Sequence, residues 1–346
     1  MADTSFTRRH VLSLAALGAG VSLLPRRVWA APHVTFGVAS LDASYAFIYA
    51  ALKKGYFAEA GLDVEHLNSQ SGPRTKQMLS AGQVFAACTG SSDAVALTMA
   101  GKPSVLVCSL ERRPALANIL VSKAAYDAGV RSVKDLAGKK IGVTQPQSLT
   151  WLLGVAITEA AGLKGKVDFR PLGDFTTMLG AVKAGSVDGC IASFAMLDAA
   201  EAEGWGVPIF RSYDSAEWNA SFKGDLPGVG VYVLKDTLEE KRAEVQMLVN
   251  GLVKGTDYVK SASPEDVAEL VKSDFLPGAS LPALVEAVKK FKTTWNFENT
   301  YTPEAYANLM SLMGDGRMYP SADLAARAKF ADQVDNSFVL KARGKA

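Results

Sequence analysis

Most of the concentrated polar chemistry in this chain sits in a few short turns. The stretch IGVTQPQSLTWLLG, residues 141–154, packs Thr144, Gln145, Gln147, Ser148 and Thr150 around Pro146, between an apolar run and a helical pattern. Ser40-Leu41-Asp42-Ala43-Ser44-Tyr45 follows the apolar Phe36-Gly37-Val38, and Thr89-Gly90-Ser91-Ser92-Asp93 follows Phe85-Ala86-Ala87-Cys88. Ser193-Phe194 closes the run Gly189-Cys190-Ile191-Ala192 in the same way. Hydroxyls and amides of this kind bind; to react, Ser91 or Ser148 would need an adjacent base, and the sequence offers none. There is no GxSxG elbow, no Walker loop, and no GxGxxG opening a helix after a strand. Beyond residue 30 the only histidines are His33 and His66, neither in metal-ligand spacing with cysteines or carboxylates. The reading is a non-enzyme with no catalytic residue, metal or cofactor.

Each turn has the form strand, loop, helix. Ser, Thr and Asp open helices with or without a ligand, because their side chains satisfy unpaired backbone N–H groups. Four such turns, two early and two in mid-chain, imply more than capping. In open parallel sheets the loops leaving the carboxyl ends of strands gather on one edge, where ligands bind. Helix starts there present N–H groups and a partial positive charge suited to a carboxylate or sulfonate.

The elements that must position these turns can be read from the hydrophobic pattern. Strands are expected at 34–38, 64–67, 85–89, 105–110, 119–122, 140–143, 167–171, 189–192 and 230–234, with helices at 44–54, 75–81, 91–100, 149–161, 175–184 and 196–203 between them. Strands alternating with crossover helices predict parallel sheets covered on both faces. After Leu234 the pattern is helical only, at 239–261, 264–273, 281–291 and 303–313. In the first of these, Val245, Leu248, Val249, Leu252, Val253 and Val259 mark a buried face, and the run is expected to return over the first lobe.

Composition sets the frame. The 346 residues are 49% hydrophobic, 21% charged and 9% aromatic, enough for two lobes with separate cores. Residues 1–30 read as an export signal: Arg8-Arg9 precede the apolar run from Val11 to Leu24, and Val28-Trp29-Ala30 ends on a small residue. The paired arginines resemble a twin-arginine signal, with Sec export as the alternative. That segment holds four of the 37 basic and one of the 35 acidic residues, leaving 33 and 34. So balanced a chain gives no reason to expect a nucleic-acid partner. Cys88, Cys108 and Cys190 each sit in an apolar run and read as small buried residues, with a Cys88–Cys108 bridge as the alternative.

Two motifs carry a family resemblance. Residues 50–65, AALKKGYFAEAGLDVE, and residues 133–143, VKDLAGKKIGV, resemble the signatures of the nitrate/sulfonate/taurine and thiamine-precursor group of solute-binding proteins of ABC importers. The resemblance runs from about Val34 to Leu234. It implies an α/β, type II periplasmic-binding-protein fold: two parallel-sheet lobes joined by two hinge segments, with a C-terminal helical run. Lobe I would comprise 31–115 and 231–346, lobe II 116–230, with crossings near Leu110–Ser122 and Pro227–Leu234. The implied protein is a periplasmic monomer that closes on a small molecule and delivers it to a membrane permease and, through it, an ATPase.

Carried onto this chain, the resemblance implies ligand contacts from Asp42, Ser44, Tyr45, Gln70, Ser71, Gly72, Thr89, Gly90, Ser91 and Ser92 in the first lobe. The second would add Thr144, Gln145, Gln147, Ser148, Thr150, Trp151, Phe175, Ser193 and Phe194, with Glu111 and Arg112 at the first crossing. Tyr45, Trp151, Phe175, Phe194 and Trp218 are aromatic candidates for the pocket or the core. The favoured ligand is a small organic anion, a sulfonate, a taurine-like molecule or a carboxylate, held near Ser91 and Ser148. Alanine at both Ser148 and Thr150 is then expected to weaken binding at least tenfold, about 1.4 kcal/mol. Uptake of a thiamine-precursor pyrimidine is the alternative. A pyrimidine-synthase-like enzyme using a pyridoxal cofactor and the effector domain of a transcription regulator are more distant readings.

Overall fold

A computed structural model describes residues 31–345, so the export signal read over 1–30 lies outside the described residues. Ten strands form two five-stranded sheets. The first is ordered β2-β1-β3-β10-β4, built from β1 (His33–Val38), β2 (Asp63–Asn68), β3 (Ala86–Gly90), β4 (Ser104–Ser109) and β10 (Val229–Leu234). The second is ordered β7-β6-β8-β5-β9, from β5 (Asn118–Ser122), β6 (Lys140–Val143), β7 (Asp168–Pro171), β8 (Gly189–Ala192) and β9 (Gly206–Phe210).

The sheets are mixed rather than parallel, which corrects the expectation of two parallel-sheet lobes. β10 runs antiparallel to β3 and β4, and β5 antiparallel to β8 and β9. These are the two strands that follow a crossing. The carboxyl ends of the parallel strands in the two sheets face each other, so a chain leaving one sheet enters the other at that same edge and must run the opposite way. The crossings are correspondingly displaced from the expected ones. Asn118–Ser122 and Val229–Leu234 are strands within the sheets, and the connections are residues 110–117 and 211–228.

Helices cover both sheets. Around the first lie α1 (Ala46–Lys53), α2 (Tyr56–Glu59), α3 (Gly72–Ser80) and α4 (Ser91–Met99). Around the second lie α5 (Lys123–Asp127), α6 (Leu149–Ala160), α7 (Phe175–Lys183) and α8 (Phe194–Ala202), with α9 (Ser215–Ser221) inside the second connection. The pattern reading passed over β9, whose Pro208 argues against a strand until the strand is seen to lie at the sheet edge, where a missing N–H is tolerated.

The C-terminal run comprises α10 (Lys235–Glu240), α11 (Arg242–Ser261), α12 (Pro264–Asp274), α13 (Leu281–Thr294), α14 (Pro303–Met313), α15 (Ser321–Arg327), α16 (Phe330–Gln333) and α17 (Ser337–Ala342). The helix expected at 239–261 breaks at Lys241, which leaves helical geometry at φ −129° and ψ 39°. Along α11 the six apolar residues named above are all buried. Gly255 lets this helix approach α1 closely, since a Cβ there would stand 2.2 Å from the Phe47 carbonyl oxygen. The run covers the first sheet as expected, and it also reaches the second. Phe291 on α13 packs on Phe194 of α8 with ring centroids 5.0 Å apart, Lys290 pairs with Asp198, and Arg317 pairs with Glu159 of α6 at 2.7 Å. From Pro32 onward both sheets belong to one compact unit.

The three cysteines are free and buried. Cys88 on β3 and Cys108 on β4 both align with Val231 of the intervening β10, two strand spacings apart or roughly 10 Å, beyond the reach of a disulfide.

Candidate functional site

Where the carboxyl edges of the two sheets meet, a cavity of about 180 Å³ lies between them. The loop after β1 supplies Ser40, Leu41, Asp42, Ser44 and Tyr45, and the second sheet supplies Phe175, Thr176 and Leu179 on α7 with Ser193 and Met196 at α8. Leu116 of the first connection and Val229 at the start of β10 close it. Three helical starts converge here. Asp42 caps the short 3₁₀ turn Ala43–Tyr45 by accepting from the Ser44 N–H at 2.8 Å. Phe175 and Thr176 are the first residues of α7, capped by Asp174. Ser193 caps α8, its Oγ accepting from the Met196 N–H at 3.4 Å.

Asp42 joins the two sides. Its Oδ2 accepts a 2.7 Å hydrogen bond from Ser193 Oγ across the cleft, and its backbone N–H donates to Tyr49 Oη at 3.2 Å. Among the described residues it is the only carboxylate lining the cavity, and no lysine, arginine or histidine lines it. Tyr45 is buried, and burial raises its phenol well above the ordinary range, so it stays a neutral hydroxyl.

Of the residues expected at the site, Asp42, Ser44, Tyr45, Phe175 and Ser193 line this cavity. The structure brings two further groups together without leaving space between them. Leu149 at the start of α6 seats against Gly90, where a Cβ would stand 2.9 Å from the Leu149 Cβ. Behind that contact the second-sheet hydroxyls bond to one another: Thr144 Oγ1 donates to Ser148 Oγ at 2.9 Å, and Thr150 Oγ1 lies 3.0 Å from Thr144 Oγ1 and 2.9 Å from Ser148 Oγ. All three residues are buried, and Ser148 also caps α6 through the Trp151 N–H.

On the facing side Thr89 Oγ1 donates to Asp93 at 2.8 Å and lies 2.9 Å from Tyr232 Oη, while Ser91 Oγ lies 3.1 Å from Tyr301 Oη. Ser92 is buried with its Oγ unpartnered. Ser71 caps α3 and Gly72 begins it, while Gln70 is exposed at φ 69°. Gln145 is half-buried, and Gln147 is exposed at φ 64° beside the exposed Pro146.

The remaining expectations fall elsewhere. Trp151 lines an outer groove with Val155, Phe169 and Arg317, because its position on α6 turns it away from the cleft. Phe194 is fully buried against Phe291 and Tyr213, and Trp218 is fully buried against Phe222. Arg112 is exposed and pairs with Asp225 at 3.2 Å.

Glu111 is buried at the first connection, where its Oε2 accepts from the Val229 N–H at 2.9 Å and the Ala115 N–H at 3.4 Å. Burial pushes its carboxyl up to about 7, against those two hydrogen bonds. Sequence reasoning missed Leu116, Thr176, Leu179, Met196 and Val229, which look like ordinary helix or strand residues. Leu41, an apolar residue in a polar loop and 43% exposed, carried a signal that could have been read.

A family model described as "NMT1/THI5 like" matches residues 42–266, most of the chain, and the protein belongs to that family. Among curated proteins no match is found. Its fold is that of periplasmic binding proteins. A solved structure from Bordetella bronchiseptica RB50 is similar at TM-score 0.79 and 20% identity, over 90% of this chain and 97% of its own. The periplasmic nitrate-binding protein NrtA of Synechocystis PCC 6803 gives 0.75 and 13%, over 90% and 88%. The periplasmic aliphatic sulphonate-binding protein SsuA of Escherichia coli gives 0.65 and 18%, over 86% and 97%. The fold is not confined to binding proteins, since the desulfurization enzyme DSZB shares it at 0.60 and 14%, over 91% and 99%. Among the described residues no helix is long and apolar enough to cross a membrane.

Proposed function

We propose that the chain is the solute-binding component of an ABC importer, working as a monomer in the periplasm after signal cleavage, and that it captures a small organic anion in the cleft cavity. Lobe I would be 31–115 with 231–346, and lobe II 116–230, closing about the two connections. The neighbours that bind nitrate and sulphonates support the solute class, and the cavity narrows it. At about 180 Å³ the space suits a ligand smaller than the roughly 300–1,000 Å³ typical of drug-sized sites.

One observation carries the ligand reading: the cavity combines the starts of α7 and α8 with Asp42 as its only carboxylate. Helix starts favour an anionic head, while Asp42 opposes a second negative charge and favours an ammonium or N–H donor. The solute that meets both demands is taurine-like, an anion carrying its own amine. The same Asp42, beside Tyr45 and Phe175, favours a second reading, an amino-bearing pyrimidine of the thiamine-precursor kind. A pyridoxal-dependent enzyme fits poorly, because no lysine lines the cavity to hold the cofactor and His66 lies outside it.

A thermal-shift panel of taurine, alkanesulfonates, aromatic carboxylates and aminopyrimidines tests this, since a ligand that binds only the folded state raises its melting temperature. The expected result is the largest shift from an amine-bearing anion. Stabilisation by plain alkanesulfonates alone would overturn the role given to Asp42, and turnover of any ligand would overturn the binding-only reading.

A further inference from the structure

Two ion pairs join the proposed lobes outside the cleft, and each lies beside one of the connections. Lys290 of α13 pairs with Asp198 of α8, and Arg317, in the loop after α14, pairs with Glu159 of α6 at 2.7 Å. Lys290 stands one turn before the end of α13, where the Arg112 N–H of the first connection donates to the Thr294 carbonyl at 2.9 Å. Glu159 and Arg317 line a groove with Phe222 and Leu226 of the second connection. None of the four charged side chains is more than 22% exposed, so these are not the solvent-screened surface pairs that contribute little.

Both pairs are fixed from behind. Arg317 reaches Glu159 Oε2 with Nε at 2.9 Å as well as with Nη2, and its Nη1 donates to the Ser311 and Leu312 carbonyls at 3.1 and 3.3 Å, which orients the planar fork. Lys290 Nζ lies 5.2 Å from the centre of the Tyr213 ring, a second attraction toward the second-sheet side. Asp198 shows what the contact costs. Its Oδ2 is buried with no hydrogen-bond partner among the described residues, and burial raises its carboxyl above the ordinary range against the pull of Lys290. Removing the partner of such a charge leaves it buried and unpaired, which is far more costly than never having the pair. Separating α8 from α13 would return Asp198 to water, so the pair and its cost both belong to the arrangement in which Ser193 bonds Asp42 and Leu149 seats on Gly90.

We propose that Lys290–Asp198 and Arg317–Glu159 are latches, one at each connection, that hold the lobes closed without a bound solute. The inference rests on the lobe assignment given under the proposed function and not on the identity of the solute. None of the four residues lines the cleft cavity, so the pairs do not depend on what fills it. A solute that binds the closed form then loses little affinity to the cost of closure, because that form is already populated.

Small-angle X-ray scattering from the purified protein with no solute added tests the latches. The wild-type profile is expected to match the closed arrangement, and Lys290→Met to raise the radius of gyration as the lobes part. Adding Asp198→Asn to Lys290→Met should restore the wild-type profile, since no buried charge is then left unpaired; a general loss of packing would not be restored. A wild-type protein with parted lobes would overturn the proposal, as would a Lys290→Met protein as compact as wild type or an opening that Asp198→Asn does not reverse. Should Lys290→Met fail to fold by circular dichroism, Arg317→Met and its reversal by Glu159→Gln decide by the same criteria. A solute panel without a hit would count against the binding reading and leave these scattering outcomes as they stand.

Discussion

The two places where the sheets face each other use the same local device and reach opposite ends. At Asp42 and Ser193 two capped turns meet across a hydrogen bond and leave a cavity beside it. At Gly90 and Leu149 two equally polar turns meet with no room between them, because a leucine fills the gap that a glycine leaves. The first pair keeps its polar groups at a cavity wall. The second spends them on one another, through the Thr144–Ser148–Thr150 cluster and the Thr89–Asp93–Tyr232 network. A strand-loop-helix turn rich in hydroxyls therefore becomes a binding surface only where side-chain volume leaves space beside it.

Substitutions on the sealed side should act on stability. Leu149→Ala empties a buried position and is expected to cost about 2–5 kcal/mol in chemical denaturation. A cost well under 1 kcal/mol would show that Leu149 does not seal the turns together. Glu111, buried at the first connection, belongs to neither region. Its raised carboxyl means that the stability it contributes is present below its ordinary value near 4.5 and lost as pH rises through about 7. Asp42, Tyr45 and Cys88 are the ionisable groups near it on the cleft side, with Arg112 and Asp225 at the rim. Relative to wild type, Glu111→Gln should therefore gain stability between pH 5 and pH 8, by up to about 3 kcal/mol. A pH-independent difference would show that Glu111 does not titrate in this range.

Ser148→Ala with Thr150→Ala sharpens the comparison further. Since each hydroxyl bonds mainly to the others, the double substitution should lower stability by about 1–3 kcal/mol and leave ligand affinity unchanged. A tenfold loss of affinity would return these residues to the grip that the sequence pattern assigned them. Ser193→Ala should do the reverse, changing stability little and weakening binding about tenfold, or ~1.4 kcal/mol.

Much of the fold was legible because it rests on periodicity. Nine strands lay within a few residues of their expected places, and the buried face of α11 followed from the spacing of Val245 through Val259. The hand of β5 and β10 was not legible, since strand direction depends on which edge the chain enters and not on which residues the strand contains. Trp151 and Phe194 show the same limit at the site. Both stand early in helices that begin near the cleft, yet one turns outward and the other into the core, a difference set by how each helix packs. The polar turns could be found from residue types alone, while the open pair and the sealed pair could be told apart only once Leu149 was seen against Gly90.

Calorimetric titration of one ligand from the thermal-shift panel into Ser193→Ala and into Thr150→Ala tests the account most directly. It predicts at least a tenfold loss of affinity in Ser193→Ala and wild-type affinity in Thr150→Ala. Loss in Thr150→Ala with wild-type binding in Ser193→Ala would place the ligand at the turns that are sealed here and contradict the assignment of the cleft cavity.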